Sequence, residues 1–132
     1  DFYAETLKFV RALKGKGKKV IVSGDYNTAH KPIDLSRPKA NENTSGFLPV
    51  ERAWIDRWIE DGQVDIFREF NTKPEQYTWW DLKSGARERN VGWRIDYHFV
   101  TKDLVSKVTG ASIMPEVMGS DHCPVRLEIK AK

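Results

Sequence analysis

A short apolar run, Val20-Ile21-Val22, leads directly into the polar segment Gly24-Asp25-Tyr26-Asn27. An uninterrupted apolar run of this length is typical of a β-strand that is buried on both faces. Polar side chains at the end of such a strand can project from a rigid sheet into a cleft. The run therefore predicts a buried strand with Asp25 and Asn27 at its end.

A second polar turn lies near the end of the chain. Gly119-Ser120-Asp121-His122 precedes an alternation of apolar and polar residues over 125–129, which is the pattern of a half-buried strand. An Asp supplies a hard oxygen ligand for a cation, and a His can donate to a phosphate oxygen or move a proton. Asp121 and His122 are therefore candidate site residues, although a single Asp or His in a turn is more often simply solvated.

The segment Gly92-Trp93-Arg94-Ile95-Asp96-Tyr97 provides a third candidate carboxylate. Aromatic and polar residues alternate over 93–100, so Asp96 is expected on the face opposite the aromatic side chains, beside His98. His98 is interpreted as a hydrogen-bonded structural histidine rather than a ligand. Folded strands can bring their ends together, and the candidate site then consists of Asp25, Asn27, Asp96, Asp121 and His122.

The length and the hydrophobic pattern predict a single α/β (α+β) domain over residues 1–132, long enough to bury roughly two-thirds of its unfolded surface. Apolar periodicity predicts helices over 1–13 and 49–61, a helical turn over 101–107, and strands over 64–70, 77–80, 93–100 and 108–113. The polar, Pro-rich stretch 27–46 predicts a long loop. Within it, His30, Lys31 and Asp34 are interpreted as solvated side chains rather than as the lining of a cleft.

Each predicted helix carries an apolar stripe. The first stripe contains Tyr3, Leu7 and Val10, widened by Phe2, Phe9 and Leu13. The second contains Val50, Trp54 and Trp58 at four-residue spacing, with Ile55 and Ile59 alongside. At this spacing the tryptophans are interpreted as core residues and not as a platform for stacking bases.

The composition excludes several classes of protein. The single Cys123 excludes an internal disulfide and a cysteine-rich zinc site, and it fits a reducing, intracellular setting, either prokaryotic cytoplasm or a eukaryotic nucleus. No apolar run approaches the length of a membrane span. Lys and Arg total 22 against 19 Asp and Glu, for a net charge of +3. Only the placement of charge can therefore indicate a nucleic-acid partner.

Residues 84–90 form a basic loop with aromatic neighbours. Arg87 and Arg89 lie between Trp79-Trp80 and Trp93 in the sequence. Cations suit phosphates, and flat side chains suit bases or the gap left by a missing base. This loop is therefore the predicted contact with a nucleic-acid strand.

The candidate donors narrow the chemistry. Oxygen ligands without thiolates suit Mg²⁺ or Mn²⁺ rather than zinc. Asp25 and Asn27 do not begin a calcium loop, because the sixth and twelfth positions are His30 and Ser36. A Ser-His-Asp hydrolase using Ser120 is conceivable, but the sequence has no nucleophile elbow. Metal-assisted attack of water on a phosphodiester remains.

Four segments carry a family resemblance: Gly24-Asp25-Tyr26-Asn27-Thr28-Ala29, Tyr77-Thr78-Trp79-Trp80, Arg89-Asn90-Val91-Gly92-Trp93-Arg94-Ile95-Asp96-Tyr97 and Gly119-Ser120-Asp121-His122-Cys123-Pro124. Together they resemble the C-terminal half of an exonuclease III-type apurinic/apyrimidinic endonuclease, in the endonuclease/exonuclease/phosphatase superfamily. The Asp-x-Asn and Ser-Asp-His pieces recur across the superfamily. The Gly-Trp-Arg-Ile-Asp-Tyr and Tyr-Thr-Trp-Trp pieces narrow the resemblance to DNA repair nucleases.

The resemblance implies one half of a four-layer α/β/β/α sandwich of the DNase I-like type, with its cleft at one edge. Asp25 would orient or deprotonate the attacking water, and Asn27 would hold water or phosphate. His122 would contact the scissile phosphate and would be oriented by Asp96. Asp121 would belong to a Mg²⁺ or Mn²⁺ site, with which Asp25, Asn27 and His122 are also implied to be linked.

The resemblance further implies a substrate, double-stranded DNA with an abasic site, cut by a repair phosphodiesterase with 3′–5′ exonuclease and 3′-phosphatase activity as further options. Trp79, Trp93 and Ile95 would wall a pocket for the flipped abasic sugar. Arg89 and Asn90, in the same basic loop as Arg87, would approach the DNA backbone.

The resemblance covers only the C-terminal half of the family, and the chain begins with Asp1 inside a predicted helix. We therefore expect the N-terminal half, which normally supplies a metal-binding Glu, an Asn near the phosphate and an active-site Tyr, to be absent. The expected partners are that missing half or a second copy of this chain, and the chain alone is expected to be inactive. The alternative is a non-catalytic DNA-binding or self-associating fragment of such an enzyme.

Overall fold

The computed structural model describes residues 2–131. Its helices are α1 (Phe2–Gly15), α2 (Pro49–Glu60) and α3 (Ile66–Phe70). Its strands are β1 (Ile21–Asp25), β2 (Gln63–Asp65), β3 (Trp79–Trp80), β4 (Gly92–Trp93), β5 (Asp96–Thr101), β6 (Val108–Ile113) and β7 (Val125–Ile129). Short 3₁₀ turns span Pro32–Asp34, Lys39–Asn41 and Lys102–Lys107. Asp1, which the sequence places in the first helix, lies outside the described residues.

The central sheet has the strand order β1-β5-β2, and both of its pairings are antiparallel. The β1–β5 register runs from the pair Ile21 and Val100 to the pair Asp25 and Asp96. Strands β3 and β4 form a second pair, and β6 and β7 form a third. Because β1 ends where β5 begins, the two carboxylates meet at one edge of the central sheet.

Helices α1 and α2 cover one face of the central sheet. Their shared core with the sheet contains Leu7, Val10, Ile55, Trp58, Tyr97 and Phe99. Val22 packs against this core, whereas Ile21 points away from it and is 41% exposed. The prediction of a strand buried on both faces is therefore wrong for Ile21, because β1 is an edge strand of the sheet. On the same face, the cross-strand partner Val100 is fully buried in a cluster with Ile66 and Leu104. The mixed helix-and-sheet architecture confirms the predicted fold class.

The prediction that both helical stripes are buried across their full width is also wrong. Phe2, Phe9 and Val50 are exposed, because a helix on the surface of a sheet turns only one narrow stripe towards the core. Trp58 is buried as predicted, and the half-buried Trp54 stacks on Tyr3 with ring centroids 5.9 Å apart.

The predicted strand over 64–70 ends at Asp65, where the chain turns into α3. This short helix directs Ile66 into a cluster with Val100 and Leu104. The next residue, Phe67, lies beneath the Arg94 guanidinium at 5.2 Å. Adjacent residues of a strand would point to opposite faces of the sheet, so helical geometry is what allows both apolar side chains to be buried on this side.

A buried ion-pair network anchors the 27–46 loop. Arg94 is 1% exposed; its Nε donates to Asp34 at 2.8 Å, and its two terminal nitrogens donate to the Asp65 carboxylate. Arg68 also donates to Asp34, at 2.6 Å. The backbone N–H of Arg94 donates to the Asp34 carbonyl at 2.7 Å, and this bond interrupts the predicted continuous strand between β4 and β5.

Two of the loop residues interpreted as solvated are therefore buried. Asp34 lies within the Arg94 network, and His30 pairs with Asp56 at 2.6 Å. Only Lys31 is exposed as predicted. The reason is that the loop packs back over the sheet edge, so its polar side chains find partners far along the chain. None of the helices within residues 2–131 has the length and apolarity needed to cross a membrane.

The Asp34 carboxylate makes stability depend on pH. Burial opposes its ionisation, but the Arg94 and Arg68 guanidiniums hold its pKa below the usual value. A pKa lower in the folded than in the unfolded chain contributes stability that is present above about pH 4 and is lost as the pH falls through the folded value. We expect the free energy of unfolding, measured with urea, to fall below about pH 4. Asp34→Asn should flatten this acid dependence.

The exposed Asp103 provides the control for this experiment. Asp103→Asn should retain the acid dependence of the unaltered chain. An equally steep acid dependence in Asp34→Asn would contradict the assignment.

Candidate active site

Three titratable side chains converge where β1 ends and β5 begins. Asp25 and Asp96 are cross-strand partners, and His122 lies shortly before β7. The Nδ1 atom of His122 lies 2.8 Å from Asp96 Oδ2, and its Nε2 lies 3.7 Å from Asp25 Oδ2. The imidazole therefore stands between two carboxylates, one half-buried and one exposed.

The electrostatics of this cluster favour a protonated imidazole. Burial lowers the pKa of His122, but the hydrogen bond to Asp96 and the charges of Asp96, Asp25 and Asp121 raise it above its usual value. Burial raises the pKa of Asp96, against the hydrogen bonds from His122 and Thr78. A carboxylate that accepts from one ring nitrogen fixes the orientation of the ring, so the other nitrogen is directed towards Asp25.

Backbone geometry fixes the turn that follows Asp25. The N–H of Asn27 donates to Asp25 Oδ1 at 2.7 Å, and the N–H of Tyr26 donates to the Ile95 carbonyl at 2.9 Å. Asn27 has φ +50°, a left-handed conformation that Asn tolerates better than most residues. Asn27 forms part of the lining of the neighbouring cavity.

A cavity of about 820 Å³ opens beside the cluster. Residues already singled out contribute to its lining: Asn27, Trp79, Arg89, Trp93, Ile95, Asp121 and His122. Its other walls come from the 36–46 loop and the 81–91 segment. His122 belongs to both the cluster and the cavity, so the two features form one continuous site.

The pairing of β3 with β4 sets the aromatic wall of the cavity. Trp79 and Trp93 are cross-strand partners, and both pack against a small core that includes Ile95. Gly46 makes room for this wall: a Cβ at that position would lie 2.9 Å from the Trp93 ring, and its φ of +104° suits glycine. The sequence therefore positions two indoles side by side.

Asp121 lies in the cavity wall but outside the three-residue cluster. Its Oδ2 accepts a hydrogen bond from Trp79 Nε1 at 3.0 Å, and this bond lowers the pKa of the Asp121 carboxyl. The donor atoms of Asp25, Asp96 and His122, in contrast, lie within 4.8 Å of one another. Two carboxylates and an imidazole are a donor set that a divalent cation accepts.

The basic loop contributes its residues unequally. Arg87 donates to the carbonyls of Ser120, Pro115 and Val117 at 2.8–2.9 Å, so its guanidinium holds the 115–120 loop. Asn90 accepts from Trp80 Nε1 at 2.9 Å. Arg89 is exposed and lines the cavity. Contact with DNA stays a prediction for all three residues of this loop.

Sequence reasoning did not find Thr78. Its buried hydroxyl oxygen accepts from the backbone N–H of Ile95 at 3.0 Å and of Asp96 at 3.2 Å. These bonds hold the start of β5 and with it the Asp96 side chain. A Thr inside an aromatic run carries no periodic signal that its hydroxyl will accept hydrogen bonds from a distant strand. Only the folded structure shows these two bonds.

Comparisons with known proteins agree with this geometry. A sequence model of the Endonuclease/Exonuclease/phosphatase family matches residues 1–122. The chain is 49% identical to an exodeoxyribonuclease of Bacillus subtilis, over 93% of this chain and 49% of that protein. It is 44% identical to a DNA-(apurinic or apyrimidinic site) endonuclease of Dictyostelium discoideum, over 82% of this chain and 30% of that protein.

A solved structure shares the fold. A 3′-phosphatase from Neisseria bound to a product DNA hairpin superposes with a TM-score of 0.91 and 26% identity, over 97% of this chain and 51% of that one. The chain thus spans about half or less of the length of these relatives. Because the family model extends over nearly the whole chain, the protein belongs to the endonuclease/exonuclease/phosphatase family.

Proposed function

We propose that the complete protein is a DNA repair phosphodiesterase that hydrolyses the backbone of double-stranded DNA at abasic sites. The observation that carries this proposal is the His122 imidazole, placed between Asp96 and Asp25 at the edge of a cavity walled by indoles. The relatives named as an exodeoxyribonuclease, an abasic-site endonuclease and a 3′-phosphatase support it, and they make 3′–5′ exonuclease and 3′-phosphatase activity part of it. Such a protein works inside the cell, in prokaryotic cytoplasm or a eukaryotic nucleus.

The chain's own residues divide the chemistry as follows. The exposed Asp25 carboxylate orients the attacking water and accepts its proton. His122, whose pKa is raised by its hydrogen bond to Asp96 and by the neighbouring carboxylates, donates to a phosphate oxygen as negative charge develops there. Asn27 holds water or a phosphate oxygen. Asp96 acts through His122, since it already accepts from that ring at 2.8 Å.

A divalent cation, Mg²⁺ or Mn²⁺, belongs to this proposal. Asp25 can hold it, together with Asn27 and Asp121 on the adjoining wall. His122 can be a ligand only in its neutral form, as an alternative to its role as a donor to the phosphate. When bound, the cation neutralises charge on the phosphodiester. The three clustered donor atoms supply only part of the octahedral shell that Mg²⁺ demands, so further ligands must come from water, substrate or another part of the protein.

Trp79, Trp93 and Ile95 form the wall that would accept an abasic sugar and exclude an intact base. Arg89 stands at the rim of this cavity and would meet the DNA backbone. Arg87 and Asn90 would support the same contact by shaping the loop that carries Arg89.

A second reading applies to the 132-residue chain alone, as a non-catalytic DNA-binding or self-associating fragment. Ile21 on β1 and Ile129 on β7 are 41% and 37% exposed. Apolar side chains left uncovered on strands favour association. The missing N-terminal half of a four-layer sandwich, or a second copy of this chain, would cover them.

Removing either reacting side chain should abolish most turnover in the complete protein. Asp25→Asn and His122→Ala should each lower kcat on an abasic duplex by at least about 100-fold, because each removes a proton-transfer group or a preorganised phosphate contact. Binding of the duplex should weaken much less. The exposed Asp103→Asn is the matched control and should retain turnover; near-normal kcat in the two site variants would remove the proposed site.

Two neighbouring arginines should behave differently. Arg89→Ala should weaken binding to all duplexes and lower the salt dependence of binding by the equivalent of about one phosphate contact. Arg87→Ala should instead lower the melting temperature, because three backbone carbonyls lose their donor. Fluorescence anisotropy over a salt series, with a thermal melt of each variant, measures both. An unchanged salt slope in Arg89→Ala would contradict its assigned role.

The 132-residue chain alone should not act as a Mg²⁺-dependent nuclease. We expect it to form dimers or larger particles by light scattering, and to gain abasic-site cleavage when the N-terminal half is supplied as a separate chain. A monodisperse monomer that cuts abasic DNA unaided would overturn this expectation.

A further inference from the structure

Trp79 is held by a side-chain hydrogen bond as well as by packing. Its Nε1–H donates to Asp121 Oδ2 at 3.0 Å, across 42 residues of chain. The surrounding backbones are also tied together, since Trp80 N donates to the Asp121 carbonyl at 3.1 Å and Cys123 N donates to the Thr78 carbonyl at 2.8 Å. The indole and the carboxylate are therefore brought together by a short stretch of paired backbone.

The strand that carries Trp79 gives little other support to the ring. Strand β3 has only two residues, and the half-buried Trp79 sits at the margin of its small core. A hydrogen bond to an ionised acceptor is roughly twice as strong as one between neutral groups. The Asp121 bond is thus the one directional contact of the Trp79 side chain recorded within residues 2–131, and it fixes the plane of the ring against the cavity.

We infer that Asp121 is a positioning residue for substrate selection: by holding the Trp79 indole it sets the width of the pocket that separates an abasic sugar from an intact nucleotide. This inference rests on the proposed function. It gives the two carboxylate oxygens different tasks. Oδ2 holds the indole, while Oδ1 accepts only a long hydrogen bond from the Ser120 hydroxyl, at 3.4 Å, and would be the oxygen left for a cation.

The test uses the complete protein and four variants. Trp79→Phe keeps an aromatic wall but removes the N–H. Asp121→Ala removes the acceptor, whereas Asp121→Asn removes the charge but keeps an oxygen that can accept from the indole. The double variant Trp79→Phe/Asp121→Ala tests whether the two residues act through one bond.

The main readout is discrimination, the ratio of kcat/KM for an abasic duplex to kcat/KM for removal of an intact 3′ nucleotide. Trp79→Phe and Asp121→Ala should each lower this ratio by about 10-fold, the loss expected when a pocket wall is displaced by the size of a small group. The double variant should lose no more than either single variant, because both remove the same bond. Asp121→Asn should keep discrimination close to that of the unaltered protein.

A second readout separates this role from metal binding. The Mg²⁺ concentration for half-maximal rate should stay unchanged in Trp79→Phe. The inference would be overturned if Trp79→Phe left discrimination unchanged, or if the losses of the two single variants multiplied in the double variant. It would also be overturned if Asp121→Asn lost discrimination, because the effect would then come from the negative charge of Asp121. Melting temperatures of all variants identify any loss that comes from unfolding.

A third readout does not depend on catalysis. The Trp79 indole N–H, followed by nuclear magnetic resonance, should exchange faster with solvent in Asp121→Ala than in Asp121→Asn. If the unaltered protein does not cleave abasic DNA, the proposed function fails while this bond is still tested. If cleavage is present and exchange is the same in both variants, the inference alone fails.

Discussion

The buried Arg94 is the constraint on which the site depends. Its guanidinium joins Asp34, from the 27–46 loop, to Asp65 at the end of β2, and so ties the loop to the central sheet. Burying a charge without partners is costly, and breaking such a pair from one side costs about 3–5 kcal/mol. The loop thus has little freedom to leave the sheet edge, and Trp93 and Ile95 are fixed on either side of the arginine.

The register of the paired backbone segments places the side chains of the candidate site. Asp25 and Asp96 are placed opposite each other by the β1–β5 ladder, and the backbone of the segment 121–123 pairs with that of 78–80. That second pairing delivers His122 to Asp96 and Asp121 to Trp79. The candidate cluster and the aromatic wall therefore share this second pairing, which explains why they adjoin.

The local pattern of apolar and polar residues was enough to predict part of the fold and of the candidate site. The strands over 108–113 and 125–129 and the grouping of Asp25, Asp96 and His122 could be read from alternation and from polar residues at strand ends. The burial of Asp34 could not, because its partner Arg94 lies 60 residues away, and a polar loop gives no sign that it will find such a partner. The helix α3 was missed for a similar reason, since only tertiary packing decides between strand and helix in a short apolar run.

The second face of the central sheet is covered unevenly. On the face that carries Ile21, its cross-strand partner Val100 is fully buried against Ile66 and Leu104, whereas Ile21 on the edge strand β1 is 41% exposed. A continuous apolar run predicts a buried strand, but it does not show whether that strand lies at the centre or at the edge of its sheet. Strand order, which depends on contacts far along the chain, decides how much of each face is covered.

The cluster at Asp25, Asp96 and His122 is proposed to serve a reaction on abasic DNA. Single-turnover cleavage by the complete protein tests this role most directly, using two duplexes that differ only in one abasic site, each with Mg²⁺ and with a chelator. We expect rapid incision beside the abasic site with Mg²⁺ and slow reaction in the other three samples. Equal rates on the two duplexes, or incision undiminished by the chelator, would contradict it.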